Sequence, residues 1–194
     1  MYEQLLQQLN QFILINPQQQ KDLCRVLQTE ERAKGDILLE QGQVANYLYF
    51  IVEGIIRSYC QVNGKEVTCW FGLQGNFCTS YFSFVHRQPS EDNIVVVTDC
   101  KLLTISHGRL QDLFQQDTVW VDLNRRLLEY YYTALLERVI SFQTQSTTER
   151  YNSFLEEYPG LEDKITLGHL ASYLGMTQET LSRLRARKRR RQQG

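Results

Sequence analysis

Between Ala33 and Ile105 the chain consists of short apolar runs broken by glycine, asparagine and aspartate, a texture no helical bundle can carry. Ile37–Leu39, Tyr47–Val52, Ile55–Val62, Glu66–Phe71, Ile94–Val97 and Lys101–Ile105 are the predicted strands. Gly35-Asp36, Gly42, Glu53-Gly54, Asn63-Gly64 and Gly72 punctuate them. Asn63-Gly64 is the strongest hairpin signal, because both residue types tolerate the positive φ of a type I′ turn. Many short strands at close spacing predict a small antiparallel barrel or sandwich.

The flanks have the other periodicity. Leu5, Leu6, Leu9, Phe12 and Ile13 repeat at helical spacing and predict a helix over residues 2–15, stopped by Pro17, with a second over Gln18–Leu27. From Asp117 to Gln145 no proline or glycine intervenes, and one long helix is expected. Val121, Leu128, Leu135 and Phe142 recur every seven residues, while Trp120, Leu123, Leu127, Tyr131 and Val139 widen the stripe. A stripe that wide can face the β-unit on one side and a second copy of the same helix on the other. Packing on its own unit alone is the competing reading. Thr147–Tyr158 predicts a further helix, ended by Pro159-Gly160.

The last thirty residues read as two short helices and a basic tail. Leu167, Leu170, Ala171 and Leu174 fall on one face; Gly175 closes the helix; Thr177 stands where an N-cap belongs. The second helix exposes Gln178, Glu179, Thr180, Ser182 and Arg183 around Leu181 and Leu184, the pattern of a helix-turn-helix that presents a recognition helix to the DNA major groove. Charge agrees. The formal net charge is only −1, but seven of the 21 basic residues lie at 183–191 with no acid among them. Residues 1–182 are left with 14 basic and 22 acidic residues, a net −8. An acidic body repels phosphate, so any nucleic-acid contact is expected at the C-terminal end. Arg187 and Lys188 join the candidates there, whether the tail is ordered or solvated.

The sequence has no run of transmembrane length and no signal peptide, so a cytoplasmic protein without a membrane partner is expected. Cys24, Cys60, Cys69, Cys78 and Cys100 are scattered, without a CxxC pair; they argue against a spacing-defined metal or iron–sulfur site and predict mostly buried, reduced thiols. GxSxG, HExxH and phosphate-loop motifs are lacking, and no enzyme is expected.

Taken together, these segments resemble the Crp/Fnr family of bacterial transcription regulators over almost the whole chain. KGDILLEQGQVANYLYFIVEGIIRSY resembles the opening strands of a cyclic-nucleotide-binding domain, with Gly35, Gly42 and Gly54 at its turn glycines. ITLGHLASYLGMTQETLSRLR resembles the family's DNA-binding motif more closely. The resemblance implies an α+β chain: an N-terminal antiparallel β-roll of the jelly-roll kind over 1–116, a dimerisation helix over 117–145, and a helix-turn-helix unit over 146–194. The family commonly adds a two-stranded wing where this chain carries RKRRRQQG, so the wing is expected to be truncated. It further implies double-stranded DNA, a second copy of the chain and RNA polymerase as partners. Gln178, Glu179 and Arg183 match the base readers; an arginine fork fits guanine O6 and N7, and a glutamate can accept from cytosine N4. Thr177 and Ser182 fit phosphate contacts. Glu179 also suits a helix N-terminus through the helix dipole alone.

The ligand cassette departs from the family pattern. Members that bind cyclic nucleotide carry a Gly-Glu pair, a second glutamate for the ribose, and an Arg-Ser/Thr pair for the phosphate. Here Gly75 is followed by Asn76, Ser80 stands at the ribose glutamate, and Ser90-Glu91 replaces the phosphate pair. Glu91 would repel phosphate, and only Arg87 lies near enough to substitute. Gly75, Asn76, Thr79, Ser80, Arg87 and Ser90 are the candidate pocket residues. No cofactor is called, and cyclic nucleotide is not expected to bind with useful affinity. A different anion, or a roll retained for dimerisation, remains open. His86 and His107 are read as ordinary packed or surface histidines rather than haem ligands. A small-molecule module whose helix pair contacts a protein instead of DNA is the alternative function.

Overall fold

The computed structural model describes residues 1–192, with the side chains of Arg190, Arg191 and Gln192 left undescribed. Two helices open the chain, α1 (Tyr2–Leu9) and α2 (Pro17–Val26). The first is shorter than its periodicity predicts because Asn10 ends it: the Asn10 carboxamide accepts the Ile15 N–H at 3.3 Å and folds the chain back. Pro17 does not stop a helix but begins one. Asn16 caps it, accepting from Gln18 N and Gln19 N, and Gln19 returns the bond in a capping box.

Eight strands follow: β1 (Gln28–Arg32), β2 (Ile37–Leu39), β3 (Tyr47–Glu53), β4 (Ile56–Val62), β5 (Lys65–Gly72), β6 (Phe77–Cys78), β7 (Asn93–Val96) and β8 (Cys100–Ser106). Between β6 and β7 lies α3 (Tyr81–His86). The strands form two antiparallel four-stranded sheets, ordered β1-β8-β3-β6 and β2-β7-β4-β5. All six predicted strands are present, and Asn63 and Gly64 both adopt positive φ between β4 and β5. β1 and the two-residue β6 are the strands the sequence conceals. The β1 residues QTEER carry no apolar alternation because it is an edge strand, pinned by Thr104 of β8 donating to Glu30.

Phe50, Leu103 and Ile105 of the roll pack with Leu5, Leu9, Leu23, Leu113, Trp120 and Leu123 of the surrounding helices. Ile51, Ile56, Ile94, Val96 and Leu102 fill the space between the sheets. After β8 comes α4 (His107–Gln116), which sequence periodicity did not single out; Ser106 caps it. The long helix α5 (Thr118–Thr144) is capped by Asp117, whose carboxylate accepts Val119 N–H. Trp120 and Leu123 bury against the roll, whereas Val121, Tyr132, Leu135, Leu136, Val139 and Ile140 stay exposed along another face.

α6 (Thr147–Glu157), a 3₁₀ turn at Leu161–Asp163, α7 (Leu167–Tyr173) and α8 (Gln178–Gln192) complete the chain. Leu161, Leu170, Leu174 and Leu181 form their core with Tyr151 and Phe154, and Ile55 and Phe71 of the roll belong to the same cluster. Leu170 and Leu181 are fully buried, so truncating either to alanine costs about 2–5 kcal/mol. Among the described residues no helix is long and apolar enough to cross a membrane, and no cluster of potential metal ligands occurs.

Candidate nucleic-acid interface and ligand pocket

The turn from α7 to α8 is closed by Gly175 at φ +65°, a conformation that carries a steric penalty for any residue with a Cβ. Thr177 caps α8, its hydroxyl accepting Thr180 N–H at 3.2 Å. Buried Leu181 fixes the rotation of α8, and Thr177, Gln178, Glu179, Ser182, Arg183 and Arg187 are exposed, with Thr180 and Lys188 half-buried. Arg183, Arg187 and Lys188 make no ion pair with the described residues. Arg185, from the same basic run, turns inward: its Nε donates to Glu162 at 3.0 Å and a terminal nitrogen reaches the Glu162 carbonyl at 3.2 Å. Among the described side chains the basic run therefore divides into Arg185, bonded inward, and Arg183, Arg187 and Lys188, which form no ion pair. Hydrogen bonds from its own backbone N–H and from Thr177, then the charge of Arg183, hold the Glu179 carboxyl below its usual range. That carboxylate serves the helix start whatever else it does. The tail residues Gln193 and Gly194 and the side chains of Arg190 and Arg191 lie outside the described residues.

At the pocket, the turn before α3 consumes its own polar groups. Gly75 has φ +86° and donates its N–H to Ile51 O; Asn76 Oδ1 accepts Leu73 N–H at 3.0 Å. Thr79 donates to Tyr47 O at 2.8 Å. Arg87 does not stand free as a substitute cation. Its guanidinium donates to Ala45 O, Phe84 O and Asn46 Oδ1, so it holds the β3 approach and the end of α3. Ser80 and Ser90 are brought together, their hydroxyl oxygens 2.9 Å apart, but around a residue the sequence reading missed. Asp92 Oδ1 accepts from Ser80 at 2.5 Å and lies 2.8 Å from Ser90 Oγ, while Asp92 Oδ2 accepts from Ser58 at 2.6 Å. Three hydroxyls thus solvate one carboxylate. Glu91, which the sequence reading made the source of repulsion, is exposed; the negative charge in the cradle belongs to Asp92. An acid two residues beyond Ser90 was the available signal, but only the β4–β7 pairing that sets Ser58 opposite Ile94 brings the third hydroxyl to it. His86 and His107 pack against Phe82 and Phe84, with ring centroids 4.7 and 5.1 Å apart. Burial, then the charge of Arg87, lowers His107 below its ordinary value.

β5 is an edge strand of the second sheet, and the C-terminal helices cover it. Thr68 N–H donates to Ser172 of α7 at 3.1 Å, and Ser172 Oγ lies 2.9 Å from Thr68 Oγ. Arg138 of α5 donates to Cys69 O and, at 3.2 Å, to Tyr173 O. Phe71 packs on Tyr173 at 5.1 Å. Arg57, 3% exposed, pairs with Glu66 and stacks over Tyr59, with its Nε unpartnered; His169 Nε2 lies 3.9 Å from the same carboxylate. Beside this seam a cavity of about 220 Å³ opens between Trp70, α5, α6 and α7, where Arg138 and Arg150 flank the Phe142 ring.

Residues 29–117 match the cyclic nucleotide-binding domain family. No curated protein matches the sequence. Among solved structures, FixK2 from Bradyrhizobium japonicum is similar with a TM-score of 0.72 at 19% identity, covering 86% of each chain. The c-di-GMP responsive global regulator CLP of Xanthomonas campestris is similar at 0.66 and 18%, covering 87% of this chain and 89% of that one. The Thermus thermophilus catabolite activator protein gives 0.58 and 20%, covering 91% and 84%. Residues 29–117 thus match the cyclic nucleotide-binding domain family, and the described chain shares its fold with solved structures that include a transcriptional regulator of the crp/fnr family from Eubacterium rectale.

Proposed function

We propose that this protein is a homodimeric, sequence-specific DNA-binding transcription regulator of the Crp/Fnr type whose sensor pocket does not take a cyclic nucleotide. The observation that carries the reading is the division of the basic run on α8. Arg185 is used internally, while Arg183 and Arg187, four residues apart on one face, are exposed and form no ion pair among the described residues, and Gln178, Glu179 and Ser182 are exposed on the same helix. In this reading α7 and α8 form the helix-turn-helix, residues 1–116 the sensor unit, 117–145 the dimerisation helix and 146–194 the DNA-binding unit. The exposed apolar face of α5 supports self-association, and fold similarity to known regulators supports the DNA partner. RNA polymerase would then be the downstream partner. The unbroken helix α8, described to Gln192, supports a role for Arg187 and Lys188 in backbone contact.

In a dimer the two α8 helices would enter successive major grooves about 34–36 Å apart on a pseudo-palindromic site. Selection from a random duplex pool, followed by binding isotherms on the enriched site, tests this. Arg183→Ala should relax preference at one base pair per half-site by about 1–3 kcal/mol. Neutralising Arg187 and Lys188 to glutamine should weaken all sequences alike and reduce the log–log salt slope by about two per protomer. Failure to enrich any site, or a salt slope untouched by the double neutralisation, would refute the reading.

A further inference from the structure

Cys60 and Cys69 stand nine residues apart in the sequence, and the fold sets their sulfur atoms 3.3 Å from each other. The cause is a bulge in the β4–β5 ladder. Thr68 pairs with Tyr59 and Trp70 with Ser58, so Cys69 is left without a partner, while Cys60 pairs with Val67. Both are free and half-exposed, in contrast to buried Cys78 and Cys100, which corrects the expectation of mostly buried thiols. A disulfide requires an S–S distance of about 2.05 Å, so the sulfurs need close by only about 1.2 Å.

We propose that Cys60 and Cys69 are an oxidation site, forming a reversible intramolecular disulfide with hydrogen peroxide and thereby altering the seam between the β-roll and the C-terminal helices. The Cys69 thiolate attacks one peroxide oxygen and the O–O bond breaks, leaving a sulfenic acid and a hydroxide that takes up a proton. The Cys60 sulfur then attacks the Cys69 sulfur, the S–O bond breaks, and a second water leaves. Two thiols lose two electrons and one peroxide becomes two waters. A dithiol reductant reverses the step by exchange. Burial, and then its bond to Cys69, pushes the Cys60 thiol up, which suits Cys60 to the second, resolving step.

The position gives this chemistry a mechanical outlet. The Cys69 carbonyl is the acceptor for Arg138 of α5, and the neighbouring Thr68 N–H is the donor to Ser172 of α7. Drawing Cys69 toward Cys60 moves both peptide units that tie the edge strand to the helices. This inference stands apart from DNA binding, and its test requires none.

The reduced full chain would be treated with peroxide, alkylated and digested with trypsin. Cleavage after Arg57, Lys65 and Arg87 places Cys60 and Cys69 on separate peptides, so the bond appears as a linked pair. Titratable thiols should fall from five to three, and recover with dithiothreitol. Hydrogen exchange at the Thr68 amide and through α7 should accelerate by about tenfold in the oxidised protein, the scale of one lost hydrogen bond. Neither change should occur in Cys60→Ser or Cys69→Ser. The proposal is overturned by peroxide treatment that yields no linked peptide, such as separate oxidation of Cys69 to the sulfinic acid. It is equally overturned by a link that leaves α7 exchange unaltered.

Discussion

Gly175→Ala is the substitution whose cost the structure resolves into two separable parts. The backbone at φ +65° is left-handed, which costs an alanine about 1–2 kcal/mol wherever it occurs. The added Cβ would also stand 2.6 Å from the Phe142 ring edge, closer than carbon atoms approach. Phe142 is 41% exposed and can swing toward solvent, so the clash is bounded by what the ring loses in leaving. It sits 5.6 Å from the Arg138 guanidinium and 5.1 Å from that of Arg150, two cation–π contacts worth about 0.5–1 kcal/mol each. Gly175→Ala should therefore destabilise by about 2–4 kcal/mol in the native background, but by only about 1–2 kcal/mol in Phe142→Ala, where the backbone term alone survives. The coupling of about 1–2 kcal/mol is measured as a double-mutant cycle by urea unfolding, with unchanged m-values as the control. Equal costs in the two backgrounds, within about 0.5 kcal/mol, would refute the claim that the turn glycine is held against the end of the long helix.

Acidification should loosen the seam. Burial first, then Arg57, lowers the His169 pKa below its usual 6.5, with Glu66 opposing. A base whose folded pKa is depressed is stabilised neutral, so the contribution is whole above pH 6.5 and is lost as pH falls through that value toward the folded pKa. Exchange of the Thr68 amide measured from pH 7.5 to 5 should rise accordingly after correction for intrinsic rates, and His169→Gln should flatten the profile; an unaltered profile would count against it. Calorimetric titration with cyclic AMP or cyclic GMP should show no binding up to millimolar concentration, because Ser80 and Ser90 already surround the Asp92 carboxylate, whose charge repels a phosphate; micromolar binding would show that the serine cluster rearranges. Leu135→Asp and Val139→Asp, on the exposed face of α5, should leave the monomer's stability nearly unchanged. Each should weaken the proposed self-association by about a hundredfold or more in sedimentation, since a carboxylate would be buried in the proposed dimer. Retained dimerisation in both would place the interface elsewhere.

Much of the architecture is legible in local pattern. The six predicted strands, the Asn63-Gly64 hairpin and the helices at 117–145 and 147–158 rest on periodicity, turn chemistry and capping, which operate within a few residues. The places where pattern fails have a common character. β1 looks like a charged loop because its partner supplies the apolar contacts, and α1 stops early because one carboxamide folds the chain back. Similarly, Arg87 resembles a free cation until Ala45 and Asn46, some forty residues earlier, claim its donors. Arg185 is indistinguishable from Arg183 and Arg187 in a run of basic residues. Only the turn at Glu162 separates the structural cation from the candidate DNA contacts.

By itself, then, the amino-acid sequence determined six of the eight described strands and the helices at 117–145 and 147–158, that the C-terminal end carries the positive charge, and that Asn76, Ser80 and Ser90-Glu91 stand in the segment that resembles a cyclic-nucleotide cassette. These depend on residue identity and short-range spacing, and no other part of the chain can alter them. Tertiary structure alone decided that Asp92 gathers Ser58, Ser80 and Ser90, that Cys60 meets Cys69 across a bulge, and that α7 caps the edge of β5 through Ser172. Each is a contact between groups brought together by strand register and helix docking. A hydrogen bond or a sulfur–sulfur approach is decided within a few tenths of an ångström, and residue order along the chain carries no such distance.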